Sequence, residues 1–527
     1  MKKIFFIAAS LFAASLLGVS CDNSGSDADT PAAAPEIVSI SPDSAPAGES
    51  VTIAGKNFSA DAASNVVTFG TAQATVSTAS ATELVVTVPA VEAGEVDVVV
   101  KVGDKSSAAV KFTVEAGGIS IEECTATIVT AGDVVTVEGA GFDGATIKIG
   151  ETVITPTMAY DDFFKFDMPS LAKGEHQITV SKNGKTAQSE KFVYYSLPQY
   201  EVSKWAGNPS STEAENAVAG GSIDGTELHF YFPDGLCWDA DGKLCISNAT
   251  KQSAIHYVDM NSKNVTCVAT GTGTGNKHVY GICSNGSKVY AAVKGANEIG
   301  YVENGAYSKF TLKSGDSDYS LSGANPQGVA HDGTYLYCSL RDKSKVIKVD
   351  ASGNVSELPL SIKPFALALN ADKSKLFVGP NNTDSKIIMV DTATGEETHI
   401  AGSSTIPTDA GVLEGPAKSV AIGQVRHMYL DTDGYLYFSD LTACRLRVLI
   451  PAVGGDYANG VVKTVAGSAI GTDSSHGLTS DYALGDALTE TKFGKEGVSG
   501  IVKYNDGFLV GGYKRHIIYQ ISPKSAN

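Results

Sequence analysis

The chain has 527 residues, a formal charge of −18 and 43% hydrophobic residues. So acidic a body lacks the clustered Lys and Arg that nucleic acid or an anionic bilayer needs in a partner, and the length suits about three domains of ~150 residues. Of the 8 cysteines, those besides Cys21 are odd in number and follow no framework spacing, which excludes a disulfide-stapled scaffold.

Residues 1–20 read as a secretory signal: Lys2-Lys3, an apolar run from Ile4 to Leu17 too short to span a bilayer, then small residues up to Ser20. With Cys21 next, the segment resembles a bacterial lipoprotein signal, and the resemblance implies lipidation of Cys21; ordinary cleavage near Ser20 is the alternative. Residues 21–34 hold Asp22, Asp27 and Asp29 and a Pro/Ala run, a disordered tether by composition. An acidic stretch directly after the lipidated Cys is similar to the export signal of surface lipoproteins in polysaccharide-foraging Gram-negative bacteria. It implies an outer-membrane protein facing outward and touching the membrane only through its anchor.

Two sandwich-sized units follow. The first, residues 35–115, contains Ile40-Ser41-Pro42 and the run Ala47-Gly48-Glu49-Ser50-Val51-Thr52-Ile53-Ala54-Gly55-Lys56-Asn57-Phe58, then short strands at Val66 to Phe69, Leu84 to Val88 and Val96 to Val100. The second, residues 116–196, restarts at Ala131-Gly132-Asp133-Val134-Val135-Thr136-Val137-Glu138-Gly139-Ala140-Gly141-Phe142 without the opening Ser-Pro. Both resemble IPT/TIG domains, and each is long enough for one Ig-like core.

From residue 197 to 527 a strand, turn, strand, loop, strand pattern recurs. It is clearest from Pro233-Asp234-Gly235-Leu236 through Asp241-Gly242-Lys243-Leu244 and again at Asp433-Gly434-Tyr435-Leu436-Tyr437-Phe438-Ser439-Asp440. Inner strands restart near Gly281, Gly328, Ala366, Met428 and Gly500, so neighbouring units pack face to face as blades of a ring. The ending Trp205-Ala206-Gly207 matches Ile400-Ala401-Gly402 and Val465-Ala466-Gly467, so Val202 to Gly207 is expected to supply the outer strand that the last blade lacks. The repeats resemble NHL repeats. The expected fold is therefore all-β, two Ig-like β-sandwiches followed by a six-bladed NHL-type β-propeller, with seven blades left open.

No Gly-x-Ser-x-Gly elbow, Cys-x-x-Cys pair, His-Glu-x-x-His helix or phosphate loop occurs, so the sequence names no catalytic residue, metal or cofactor. Asp239 and Asp431 open hairpin turns rather than calcium loops, since the twelfth place holds Thr. Cys237 and Cys245 face across one hairpin, with free thiols preferred to a bridge. Residues just before each innermost strand, and those after the second strand, converge on one face near the axis. They are Tyr231, His278, Tyr280, Lys294, Gln327, Arg341, Phe365, Asn381, Arg426, His427, Tyr513 and Arg515, with neighbours such as Asp234 and Asp440. Rings, amides and charges in one concavity suit a sugar, whose apolar faces stack while its hydroxyls take directed hydrogen bonds. The 2 Trp residues, Trp205 and Trp238, read as packing residues.

The layout resembles accessory surface glycan-binding proteins of polysaccharide-uptake systems, which implies a glycan or other extracellular ligand and an outer-membrane transporter as neighbour. Two other readings stay open on the same fold, an extracytoplasmic lactonase or lyase and a protein-binding scaffold. The anchor is directly testable: Cys21→Ala should move the protein from the membrane fraction to the soluble one and abolish surface labelling. Unchanged membrane retention would refute lipidation at Cys21.

Overall fold

The computed structural model describes residues 33–115, 118–210, 230–248, 254–269, 278–381, 383–403, 405–408, 411–473, 475 and 482–525. The signal, Cys21 and most of the tether lie outside these residues. Among the described residues the chain is built of strands and short 3-10 turns, with no α-helix. It divides into two compact units, one reaching Ser120 and including Lys182–Lys185, the other comprising Ile121–Ser181 and Thr186–Asn527.

The smaller unit holds the first sandwich. Strand Ser50–Lys56 alternates buried Val51, Ile53 and Gly55 with more exposed residues, the period-2 pattern of a sheet wet on one face. It pairs with Glu36–Ser41 and Glu83–Thr87. Strand Ala72–Ala79 passes from this sheet to the one formed by Asn65–Phe69, Gly94–Val102 and Val110–Glu115. Val51, Ile53, Val67, Leu84, Val98 and Phe112 fill the space between, and Phe69 meets Phe112 edge to face at 5.2 Å. In the larger unit the strands from Ile128–Val129 to Phe192–Tyr194, expected as the second sandwich, form short sheets and set Phe142 edge-on to Phe164 at 5.0 Å.

Among the described residues, the rest of the larger unit holds six four- or five-stranded antiparallel sheets in a propeller-like arrangement, with two small two-stranded sheets beside them. Their inner strands are Pro233–Trp238, His278–Ser284, Pro326–His331, Pro364–Leu369, Val425–Leu430 and Ile501–Tyr504, and each packs on the next, the last on the first. Second strands such as Leu244–Asn248 and Leu436–Asp440 are buried at every residue because sheets cover both their faces, whereas the outer strand Val355–Pro359 is mostly exposed. Tyr200–Ala206 pairs antiparallel with Ile517–Pro523, from Tyr200 opposite Pro523 to Ala206 opposite Ile518. A segment preceding the first blade thus completes the last sheet.

The inner strands share one irregularity that brings the sheets together. Pairing with the second strand skips two residues in five of them: Asp234-Gly235, Tyr280-Gly281, Gln327-Gly328, Phe365-Ala366 and Arg426-His427. This β-bulge turns the first residue of the pair toward the axis. The second approaches the neighbouring strand so closely that a Cβ on Gly235 would lie 2.6 Å from the Tyr280 carbonyl oxygen, and one on Gly281 2.6 Å from that of Gln327. Alternate blades fasten the approach with a serine on the second strand. Ser247 Oγ accepts from Gly235 N at 2.8 Å and donates to Tyr280 O at 2.7 Å. Ser339 Oγ does the same between Gly328 N, 2.8 Å, and Phe365 O, 2.7 Å. Ser439 Oγ accepts from His427 N at 3.0 Å.

The fifth sheet carries a second buried device. Arg447 is fully buried and donates to Asp440 Oδ2 at 3.0 Å and to the carbonyls of Ala421, 2.8 Å, and Leu413. Asp440 also accepts from Gly423 N and Ala443 N, so the pair binds the loop before the inner strand to the sheet. The second sandwich docks on this blade: Lys173 reaches Asp433 at 3.1 Å, Glu175 accepts from Gly454 N at 2.8 Å, and Val193 and Tyr195 join the apolar cluster around Tyr435, Val448 and Phe508. Replacing Ser339 by Ala leaves the Gly328 amide without its acceptor and the Phe365 carbonyl without its Oγ donor, at a cost of about 1–3 kcal/mol. Chemical denaturation of the mature chain should show this loss, and an unchanged midpoint would remove the serine staple from the account of closure.

Candidate functional site

The bulge residues form a layer across the ring axis. In chain order they are Asp234, Tyr280, Gln327, Phe365 and Arg426, and Ser499 holds the equivalent place before Gly500 in the sixth blade. All six are buried. Arg426 reaches past the small Ser499 position to grip Asp234 with two parallel hydrogen bonds, Nε to Oδ1 at 3.1 Å and Nη2 to Oδ2 at 2.6 Å. Its guanidinium carbon lies 4.3 Å from the ring centre of Tyr513, 4.7 Å from that of Tyr280 and 4.8 Å from that of Phe365. The charge at the axis is thus enclosed by three aromatic faces. Burial pushes the Asp234 carboxyl up, an effect that Arg426, His278 and Lys294 oppose. Burial works most strongly against the Arg426 charge, but the adjoining Asp234 carboxylate together with Tyr513 and Tyr280 outweighs it and holds the guanidinium protonated.

One polar group of this layer is buried without a hydrogen-bond partner among the described residues: the Gln327 side chain is 1% exposed and both its amide atoms are unpaired. Arg426 uses Nε and Nη2 on Asp234, and its Nη1 makes no hydrogen bond to a described residue.

The other residues expected on this face distribute around the layer. His278 stacks on Tyr280 at 6.1 Å, and directly across the strand pair Lys294 brings Nζ to 3.5 Å from the Tyr280 hydroxyl. Tyr231 and Tyr513 are half-buried at the rim, Tyr231 against the ring of His516 at 4.5 Å and Tyr513 against that of Phe232 at 4.8 Å. Tyr280 and Phe365 are covered, so they present no open stacking surface. Arg341 forks Asp342 at 2.8 and 3.2 Å, and Asn381 donates its main-chain N–H to Lys363 O at 2.9 Å, so both are engaged locally in the turns after their second strands. Arg515 is fully buried and ties down a neighbouring loop through Lys495 O at 2.9 Å and Ser475 O at 3.3 Å. Asp440 is fully buried with Arg447.

His427 stands apart from the layer. It occupies the place that Gly or Ala holds in the other blades, and its Nδ1 accepts from Ile501 N at 3.3 Å. Beyond it, toward the first hairpin turns, lies an axial cavity of about 450 Å³ lined by the later residues of all six inner strands, among them Trp238, His331, Tyr429 and Lys503. Trp238 also stacks on Tyr504 at 6.3 Å, as a packing residue. Cys237 lies opposite Cys245 and both are free thiols. Among the described residues no three His, Cys, Asp or Glu side chains converge to hold a metal ion.

Burial lowers the His427 and His256 rings to about 4. In the unfolded chain both take a proton near 6.5, so between 6.5 and 4 the unfolded state binds more protons. Their contribution to stability is whole above pH 6.5 and is lost as the pH falls toward 4. Thermal unfolding should therefore move to lower temperature between pH 6.5 and 4.5, above the range where most carboxylates titrate, and His427→Asn should flatten that slope. A melting temperature constant across this window would show that the two rings are not held neutral.

Residues 35–114 match the IPT/TIG domain model. No curated protein matches the chain in sequence. Among solved structures, an auxiliary nutrient binding protein from Bacteroides thetaiotaomicron VPI-5482 aligns at 16% identity over 77% of this chain and 98% of its own, with a TM-score of 0.47. An auxiliary nutrient binding protein from Bacteroides ovatus ATCC 8483 aligns at 17% identity over 78% and 99%, TM-score 0.46. A streptogramin B lyase aligns at 16% identity over 62% and 98%, TM-score 0.40.

Proposed function

We propose that this protein is a lipid-anchored outer-membrane protein facing the cell exterior, in which two Ig-like sandwiches carry a six-bladed NHL-type propeller outward to bind an extracellular glycan. The ligand rests on the axial layer, at the end of the ring where the inner strands begin. The observation that carries this reading is the Gln327 amide at the axis, buried with both its polar atoms unpaired, beneath a rim of half-buried rings. Buried polar groups rarely go unpaired in native folds, and a ligand bearing hydroxyls is one way to satisfy them. Tyr231, His278 and Tyr513 offer ring surface, and Lys294 adds a donor, the combination by which sugars are held. Arg341, Asn381 and Arg515 frame the site rather than touch the ligand.

Binding rather than catalysis fits the state of the axial carboxylate. Asp234 gives both oxygens to Arg426, so it is not presented to a substrate as a base. The signal, Cys21 and the acidic tether support surface display, and an outer-membrane transporter is the natural recipient of a captured glycan.

Because the second sandwich shares an apolar cluster with the ring, the test keeps residues 121–527 together. That fragment should bind glycans as tightly as the mature chain, in affinity gels or on an array. Tyr513→Ala should weaken binding by about 1 kcal/mol or more, as truncating an interface aromatic commonly does. Binding by the first sandwich alone, with none by residues 121–527, would overturn the assignment.

A further inference from the structure

Around the axis the Gln327 amide leaves one donor and one acceptor unpaired, Arg426 Nη1 makes no hydrogen bond to a described residue, and the described neighbour of Lys294 Nζ is the Tyr280 hydroxyl at 3.5 Å. Both oxygens of Asp234 already take a bond from Arg426, and Ser499 Oγ donates to Pro233 O at 2.7 Å. The bias is one of charge: Arg426 and Lys294 face one carboxylate, leaving a positive excess at the centre of a chain whose formal charge is −18. Lys294 forms no ion pair with any described carboxylate, whereas Arg341, Lys514 and Lys345 on other blades each have one. A neutral ligand would leave that excess unbalanced in a site partly withdrawn from water, where charge weighs more than on the surface.

We infer that the axial layer selects an anionic glycan, one whose sugars carry a carboxylate or sulfate group that Arg426 Nη1, Gln327 Nε2 and Lys294 Nζ receive together. This inference rests on the proposed glycan-binding reading and narrows its ligand class. Arg426 is already fixed in place by Asp234 and by three rings, so little freedom is lost when an anion meets its remaining edge. Lys294 is anchored along the Tyr280 ring at 5.3 Å and supplies the second charge. Gln327 contributes direction rather than charge.

The test uses residues 22–527 and calorimetric titration with three oligosaccharides of equal length: a uronate chain, its carboxyl-reduced neutral counterpart, and a sulfated chain. At least one anionic chain should bind tenfold or more tightly than the neutral one, and its affinity should fall as salt is raised. Preference for the uronate assigns carboxylate, and preference for the sulfated chain assigns sulfate. Lys294→Met should reduce anionic binding about tenfold and neutral binding by clearly less. Gln327→Leu should reduce it without lowering the melting temperature, because no protein hydrogen bond is lost. Equal binding of neutral and anionic chains, or an unaffected Lys294→Met, overturns the inference while leaving the glycan reading intact. Failure of all three chains to bind overturns both.

Discussion

The contact on which the ring depends is the close approach between successive inner strands. The bulges of the first three blades, and Gly500 in the sixth, set a glycine against the carbonyl of the next blade's axial residue, so Gly235 meets Tyr280 O, Gly281 meets Gln327 O, Gly328 meets Phe365 O and Gly500 returns to Asp234 O. A Cβ at these points would collide with backbone, which cannot give way as a flexible side chain can. The serine staples turn the same approach into hydrogen bonds, each satisfying a donor in one blade and an acceptor in the next. Closure by backbone contact fixes the angle between sheets. That angle in turn fixes which side chains reach the axis.

Once six residues are directed to one point, their chemistry is constrained by size. Two rings, an amide and an arginine cannot all lie in one plane, and the small Ser499 leaves the gap through which Arg426 crosses to Asp234. As a source of stability such a buried pair is modest, because desolvation offsets much of the attraction, while removing either partner strands a charge at a cost of about 3–5 kcal/mol. Its effect is positional. It joins the fifth blade to the first across the centre, in a ring whose circumference is already closed by the Tyr200–Ala206 strand.

Much of this was legible in the sequence, and the remainder fails for identifiable reasons. Tyr280, Gln327, Phe365 and Arg426 can be placed near the axis because each lies at the start of an inner strand, and the Ala-Gly ending before the first blade points to the strand that completes the last sheet. The fifth inner strand starts at Val425 rather than near Met428, because His427 replaces the Gly that marks the other repeats. The Asp234–Arg426 pair joins residues 192 apart, a separation that no local pattern reports. Arg515 and Asp440 look like face residues by position, yet each satisfies backbone groups of a neighbouring loop, and only the fold reveals where those loops pass.

The axial layer also divides the interior of the ring. On one side lie His278, Lys294 and the rim tyrosines, and on the other the cavity of about 450 Å³ whose walls are the later residues of the inner strands. With Arg426 enclosed by Tyr280, Phe365 and Tyr513, the layer is a packed partition and not a constriction in an open channel. The ends of the strands and the turns that follow them can vary from blade to blade without disturbing the glycine and serine contacts below. The fold can thus keep its closure constant while the surface above the layer changes, which is why the residues that build the ring are recognisable as repeats and those on that surface are not.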